Sequence, residues 1–379
     1  SSTVGNKSLE DASLDIAKKS IVLLKNKNQL LPLKKQGLNI ALIGDLADDK
    51  MSPLGNWILA AEKNSAVSVL EGLKSYSGNN IEFSVGAKLN IGPLEFAKEL
   101  KINTSDKSDF GAALKLAKTS DVVIMVLGEH GFQSGEGRSR TDLGLPGLQQ
   151  ELLEEVYKVN KNIVLVLNNG RPLVLNWASE HIPAILEAWQ LGSQSGNAIA
   201  QVLYGDYNPS GKLPMTFPRS VGQVPIYYNY KSTGRPNLPS PGEVFWTHYQ
   251  DEENLPLYPF GYGLSYTTFE YQNFKIENQS DKIVEVSVDV KNIGNFEGKE
   301  VVQLYVKDHF ARPAQAVRNL KGFELINLKP GATKTVKFFL NEEKLGFFDN
   351  KGKLTLQSGE FSVYVGGDST ADLSLIFKL

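Results

Sequence analysis

The stretch Asn39-Ile40-Ala41-Leu42-Ile43-Gly44 sets four apolar residues in a row with a glycine behind them. It is short for a helix and too uniformly apolar for a strand with one wet face, so it predicts a strand buried on both sides. Similar runs recur at 81–85, 121–127, 162–167 and 184–188, and helical spacings fill the intervals at 67–75, 111–119, 147–159 and 196–204. Strands and helices alternating at these distances require crossover connections, hence a mostly parallel sheet covered on both faces: an α/β sandwich. Upstream, Ala12, Leu14, Ile16, Ala17, Ile21, Leu23 and Leu24 fall at helical spacing, which predicts one helix over 9–25, with Pro32 beyond it helping to stop it.

Past residue 205 the texture changes. Asp206-Tyr207-Asn208-Pro209-Ser210-Gly211-Lys212-Leu213-Pro214 is turn chemistry, and Pro and Tyr crowd the chain as far as Tyr266. A loose tether would expose those aromatics to water, so 216–265 reads as an extended aromatic linker laid over the domains. Beyond it the period becomes two: Val284, Val286, Val288 and Val290 alternate with Glu285, Ser287 and Asp289, and further strands are expected at 301–306, 333–340 and 361–365. Turn signals separate them at 292–295 and 329–332. The fold class is therefore α/β plus all-β: an α/β sandwich over 1–215, the linker, and a fibronectin type III-like β-sandwich over 266–379.

Composition narrows the function. The 379 residues carry 40 Lys and Arg against 42 Asp and Glu, a net charge of −2, so no basic excess is available to neutralise nucleic-acid phosphates. The absence of cysteine excludes disulfides, thiolate metal sites and a Cys nucleophile. Four histidines, His130, His181, His248 and His309, stand far apart with no paired ligand spacing, and no metal or other cofactor is expected. No phosphate-cradling glycine loop and no G-x-S-x-G elbow is present. The chain starts Ser1-Ser2-Thr3 without Met and holds no apolar run of the ~18 residues a membrane span needs, so it reads as part of a longer polypeptide without a membrane span.

Carboxylates are left to carry chemistry. Ligand crevices open beyond the carboxyl ends of parallel strands, and the longest loop in such a place runs from Gly128 to Asp142. It offers Glu136, flanked by Gly135 and Gly137 and close to Arg138 and Arg140, where glycines let the backbone flex and approach a ligand. The bland alternative is a solvated loop carboxylate pairing weakly with arginine. Glu129, beside His130 at the strand end, is the competing acid, its bland alternative a buried structural carboxylate; the pair could also serve as a base in an unrelated α/β enzyme. Trp57, Trp189 and Trp246 could each form a platform for a sugar ring or simply pack in a core. Asp142 is expected to order the loop where it leads into the next helix.

Several strings resemble the C-terminal half of family 3 glycoside hydrolases. They are Ser20-Ile21-Val22-Leu23-Leu24-Lys25-Asn26 with Leu30-Leu31-Pro32-Leu33, Gly128-Glu129 with Glu136 and Ser139-Arg140-Thr141-Asp142-Leu143, Asn168-Asn169-Gly170-Arg171-Pro172, Asp206 to Pro214, and Pro259-Phe260-Gly261-Tyr262-Gly263-Leu264-Ser265-Tyr266. The likeness is strongest to the bacterial periplasmic β-glucosidase branch and covers nearly the whole chain.

The resemblance implies a retaining exo-acting β-glucosidase of which this chain is the α/β sandwich and fibronectin-like part. Glu136 matches the family's acid/base position, and the nucleophile would lie on an N-terminal barrel, in cis or on a separate chain. By the same resemblance Arg138, Arg140 and Asp142 would order the loop, and Arg138, Arg140 and Trp57 are candidate substrate contacts. The implied substrate is a neutral oligosaccharide or glycoside, the location periplasmic or secreted, and a homodimer is left open. A β-xylosidase, or a carbohydrate-binding or scaffolding piece without chemistry, are the alternatives.

Overall fold

A computed structural model describes residues 5–58, 60–235, 244–280 and 283–379, with the side chains of 278–280 excepted. The part of the expected linker at 236–243 lies outside the described residues. The chain divides into two compact units that meet between Gly211 and Lys212.

The first unit begins with α1 (Lys7–Ser20), capped by the Asn6 side chain accepting from the Ser8 amide, and β1 (Val22–Asn26). The single helix expected over 9–25 is therefore corrected: it stops at Ser20. Ile21, Val22 and Leu23 are all fully buried. Three consecutive residues on a helix surface would point in widely different directions, whereas a strand covered on both faces buries them all, and β-branched side chains suit it.

There follow β2 (Asn39–Ile43), α2 (Val69–Lys74), β3 (Asn80–Ser84), α3 (Phe110–Thr119), β4 (Val122–Gly128), α4 (Gln149–Val159), β5 (Ile163–Asn168), α5 (Asn176–His181), β6 (Ala184–Glu187) and α6 (Ser195–Leu203). The strands order as β1-β6-β5-β4-β2-β3, with β2 to β6 parallel and β1 antiparallel at one edge. β4 and β5 are buried along their whole length, as their sequences demand. β3 forms the opposite edge and is only half covered, so its apolar run is not a core strand. Helices α1 and α2 pack on α6, and α3 packs on α4. Gly72 and Gly196 allow the first group to close up: a Cβ on Gly196 would lie 1.9 Å from the Ser68 carbonyl oxygen. α5 was not anticipated.

The second unit opens with chain that has little regular structure yet is packed. Phe217 is fully buried, its amide bonded to the Tyr258 carbonyl, and Tyr228 stacks on Phe260 at 4.3 Å and meets Tyr305 edge-on. The β-sandwich comprises β7 (Phe269–Ser280), β8 (Ile283–Asn292), β9 (Gly298–Asp308), β10 (Asn319–Leu328), β11 (Thr333–Leu340), a two-residue hairpin β12 (Phe347–Phe348) and β13 (Leu354–Thr355), β14 (Glu360–Gly366) and β15 (Ser374–Lys378). One sheet orders β11-β8-β7 and the other β10-β9-β14-β15. The alternating valines of β8 face Val302, Leu304, Phe361 and Val363 in one core.

Candidate active site

The carboxyl ends of β4, β5 and β6 gather the chemistry of the first unit. Gly128 ends β4 with φ +134°, where a Cβ would stand 2.2 Å from the Asn168 carbonyl oxygen, so adjacent strand ends approach as only glycine permits. Glu129 follows, fully buried. Its carboxylate takes Arg140 Nη1 at 2.8 Å, Arg171 Nε at 3.0 Å and the Gly170 amide at 3.3 Å. Two guanidinium groups on one buried carboxylate make a structural ion triad, and this is the bland alternative stated for Glu129. It does not pair with His130, whose Nδ1 accepts from the Phe132 amide at 3.0 Å while Nε2 lies 4.0 Å from Asp49.

Beyond His130 the chain makes one 3₁₀ turn over Gly131–Gln133, closed by the Gln133 side chain accepting from the His130 amide. A second turn carries Glu136: the Arg138 amide donates to the Gly135 carbonyl at 3.2 Å, with Gly135 at φ +109° and Gly137 at φ +70°. Both glycines sit in the left-handed half of backbone space that a side chain resists. Glu136 at the tip is exposed and makes no hydrogen bond or ion pair with the described residues.

The two arginines near it are turned inward. Arg138 donates to the Phe132 carbonyl and, at 2.5 Å, to the Phe96 carbonyl, and lies over both rings. Arg140 donates to Gly144 O as well as to Glu129. Asp142 accepts from the Gly144 amide at 2.7 Å, tightening the exit toward α4. Trp57, 62 % exposed, leans on Phe96 at 5.8 Å, so Trp57, Phe96, Phe132 and Arg138 form one aromatic and cationic wall beside the loop. Trp189 bonds through its amide to Glu187 at φ +50°. Trp246 belongs to the other unit.

Sequence reasoning gave no role to three residues here. Phe96 comes from an irregular stretch between β3 and α3 whose composition signals nothing. Glu187, fully buried at the end of β6, accepts from Trp189 N at 2.9 Å and Asn169 Nδ2 at 3.1 Å, and burial pushes its carboxyl up to about 8. A lone Glu inside the apolar run Ala184–Ala188 was the available sign. Arg171 donates from Nη2 to the carbonyls of both Gln133 and Arg138, the latter at 2.8 Å.

A separate cavity of about 410 Å³ opens beside the ends of β2 and β3, with Asp45, Asp48, Asp49 and His130 among apolar walls. Burial raises the Asp45 carboxyl and lowers the His130 imidazole. Neither Glu136 nor Trp57 lines it. Among the described residues no helix is long and apolar enough to cross a membrane.

Comparison with known proteins agrees with this architecture. The glycosyl hydrolase family 3 C-terminal domain matches residues 21–266, and the fibronectin type III-like domain matches 300–369. A periplasmic beta-glucosidase of Salmonella typhimurium is 43 % identical over 94 % of this chain and 48 % of its own length. A beta-xylosidase of Formosa agariphila is 41 % identical over 95 % of this chain and 48 % of its own. The crystal structure of a beta-glucosidase from Listeria innocua in complex with isofagomine superposes with a TM-score of 0.88 at 34 % identity, covering 99 % of this chain and 50 % of that one. The chain thus spans about half the length of the relatives it matches.

Proposed function

The chain belongs to glycosyl hydrolase family 3, and from that premise we propose that it forms the acid/base half of a retaining, exo-acting β-glucosidase that releases terminal β-D-glucosyl residues from oligosaccharides or glycosides. The observation that carries this reading is the contrast among carboxylates at one end of the sheet. Glu129 is consumed by two arginines and Glu187 is sealed in the core, while Glu136 stands uncommitted on a glycine-flanked turn.

Retaining hydrolysis uses two carboxyl groups about 5–5.5 Å apart on either side of the anomeric carbon. In the first step a carboxylate attacks that carbon while Glu136, as the acid, gives its proton to the departing glycosidic oxygen. In the second step Glu136, now a carboxylate, takes a proton from the water that attacks the glycosyl ester, and is ready again. A group with both duties needs surroundings that complete themselves when substrate and the facing domain arrive. The attacking carboxylate is assigned to an N-terminal barrel, in cis or on a separate chain. Trp57 and Phe96 offer a ring platform for the leaving group, and Arg138 and Arg140 hold the rim on which the sugar rests. Periplasmic or secreted location follows the relative named for the periplasm. The beta-xylosidase at nearly equal identity supports β-xylosides as the second substrate class.

The test joins this chain to a family barrel and compares it with its Glu136→Gln variant, the 379-residue chain alone serving as an inert control. The variant should lose about 10²–10⁴-fold on glucosides with poor leaving groups, as expected for a missing general acid. It should keep the first step with activated aryl glucosides and regain turnover when azide replaces water. Equal losses on both substrates, or robust hydrolysis by the chain alone, would sink the assignment.

A further inference from the structure

We propose that Arg171 is the positioning residue of the acid/base loop, its single guanidinium gripping both limbs of the turn that carries Glu136 and tying them to the buried Glu129. The proposal rests on the reading of Glu136 as acid/base and adds the element that fixes where its proton is delivered.

The geometry is specific. Nη2 of Arg171 donates to the carbonyl of Gln133, three residues before Glu136, and to that of Arg138, two residues after it. Nε of the same side chain reaches Glu129, itself held by Arg140 and by the Gly170 amide. The loop is thus closed across its neck by one planar group whose own orientation is set from the strand ends below.

The backbone is shaped for this contact. A Cβ on Gly170 would stand 2.1 Å from Ser134 Oγ, so the chain just before Arg171 lies directly against the entering limb of the loop. Gln190 Nε2 holds the same Ser134 hydroxyl at 3.1 Å. Only a guanidinium, with donors splayed in a plane, can serve a carboxylate and two carbonyls at once; a lysine ammonium on a flexible stem cannot span them. A positional error of about 1 Å in a reacting group can cost roughly 100-fold in rate, so the tip needs such a brace even though Glu136 itself stays bare.

Two measurements on Arg171→Lys decide the matter. In the 379-residue chain, amide order parameters at Gly135, Glu136 and Gly137 should fall from the rigid value of about 0.85 toward 0.6, with those of β4 and β5 unchanged. A tip as rigid as in the parent chain would overturn the clamp. In the barrel-joined enzyme, kcat on an alkyl glucoside should fall about 10–100-fold with KM within about twofold, while an activated dinitrophenyl glucoside loses less than about threefold. Added guanidinium should restore part of the alkyl-glucoside rate to Arg171→Gly. Equal losses on both substrates would mark general damage and refute the positioning role. The reading of Glu136 is judged separately by Glu136→Gln, and its failure would leave the order-parameter test of the clamp standing.

Discussion

The floor of the candidate site and the tip of its loop treat carboxylates in opposite ways. On the floor, Glu129 and Glu187 are both fully buried, at the ends of β4 and β6, the two strands that flank β5. The first is neutralised by two arginines, and the second has no cationic partner among the described residues and is driven by burial to hold its proton, its carboxyl pushed up to about 8. Seven residues along the chain from Glu129, Glu136 is in water with no described partner. A buried charge must be paired or discharged, so the floor residues are committed to the fold. An exposed one costs nothing to leave free, and a group that must give and take protons has to be free.

The comparison breaks most readily at Glu129. Truncation to Ala leaves Arg140 and Arg171 without their shared carboxylate in a half-buried site, and removing one partner of a buried ion pair costs about 3–5 kcal/mol. Glu136→Gln should stay within about 0.5 kcal/mol, as surface substitutions do. Urea unfolding midpoints of the two variants measure this directly. Comparable losses from both would mean that the tip is load-carrying after all and that the division between floor and tip is false.

Glu187 sharpens the comparison through pH. Its carboxyl is raised from an ordinary 4.5 to about 8 by burial, against the pull of its two hydrogen bonds. Below 4.5 folded and unfolded chains both hold the proton and the contribution is fully present. As pH rises from there toward 8 the unfolded chain releases the proton while the folded chain keeps it, so stability falls across that window and levels off above it. The total is on the order of 5 kcal/mol. Glu187→Gln should flatten that slope between pH 5 and 8, read as unfolding free energy at each pH. A slope identical to that of the parent chain would place Glu187 in contact with solvent or an unseen cation.

These distinctions were unequally visible in the sequence. The parallel sheet was legible because β4 and β5 are buried on both faces and therefore spell uninterrupted apolar runs. β1 was absorbed into a helix because Ala17, Ile21 and Leu24 keep helical spacing, and only the joint burial of Ile21, Val22 and Leu23 and the antiparallel pairing with β6 separate the two. α5 is six residues with Ala178 alone buried, too little for a periodic signal. In the second unit the alternating valines of β8 announced a strand, whereas β10 exposes Phe323 and Leu325 and blurs its own pattern. At the site, the glycines around Glu136 made it a candidate acid, with Glu129 left as its competitor. Arg171 was part of a recognised string but without a role, since its partners lie 33 to 42 residues away in sequence and meet it only because β4 and β5 run side by side in parallel.

The finest division falls within the tip itself, between its two glycines. Gly135 has φ +109°, and a Cβ there would sit 1.6 Å from Asn56 Nδ2; Gly137 has φ +70° with open space around it. Both positions resist a side chain, but φ near +70° lies close to the left-handed well that L residues can enter for about 1–2 kcal/mol, whereas +109° lies outside it. Gly137→Ala should therefore cost about 1 kcal/mol and Gly135→Ala about 2–3 kcal/mol, by chemical unfolding. Adding Asn56→Gly to Gly135→Ala removes the collision while leaving the dihedral penalty, so it should recover only part of the loss. Full recovery would mean that the turn is shaped by the neighbouring Asn56, and no recovery that the backbone angle alone sets it.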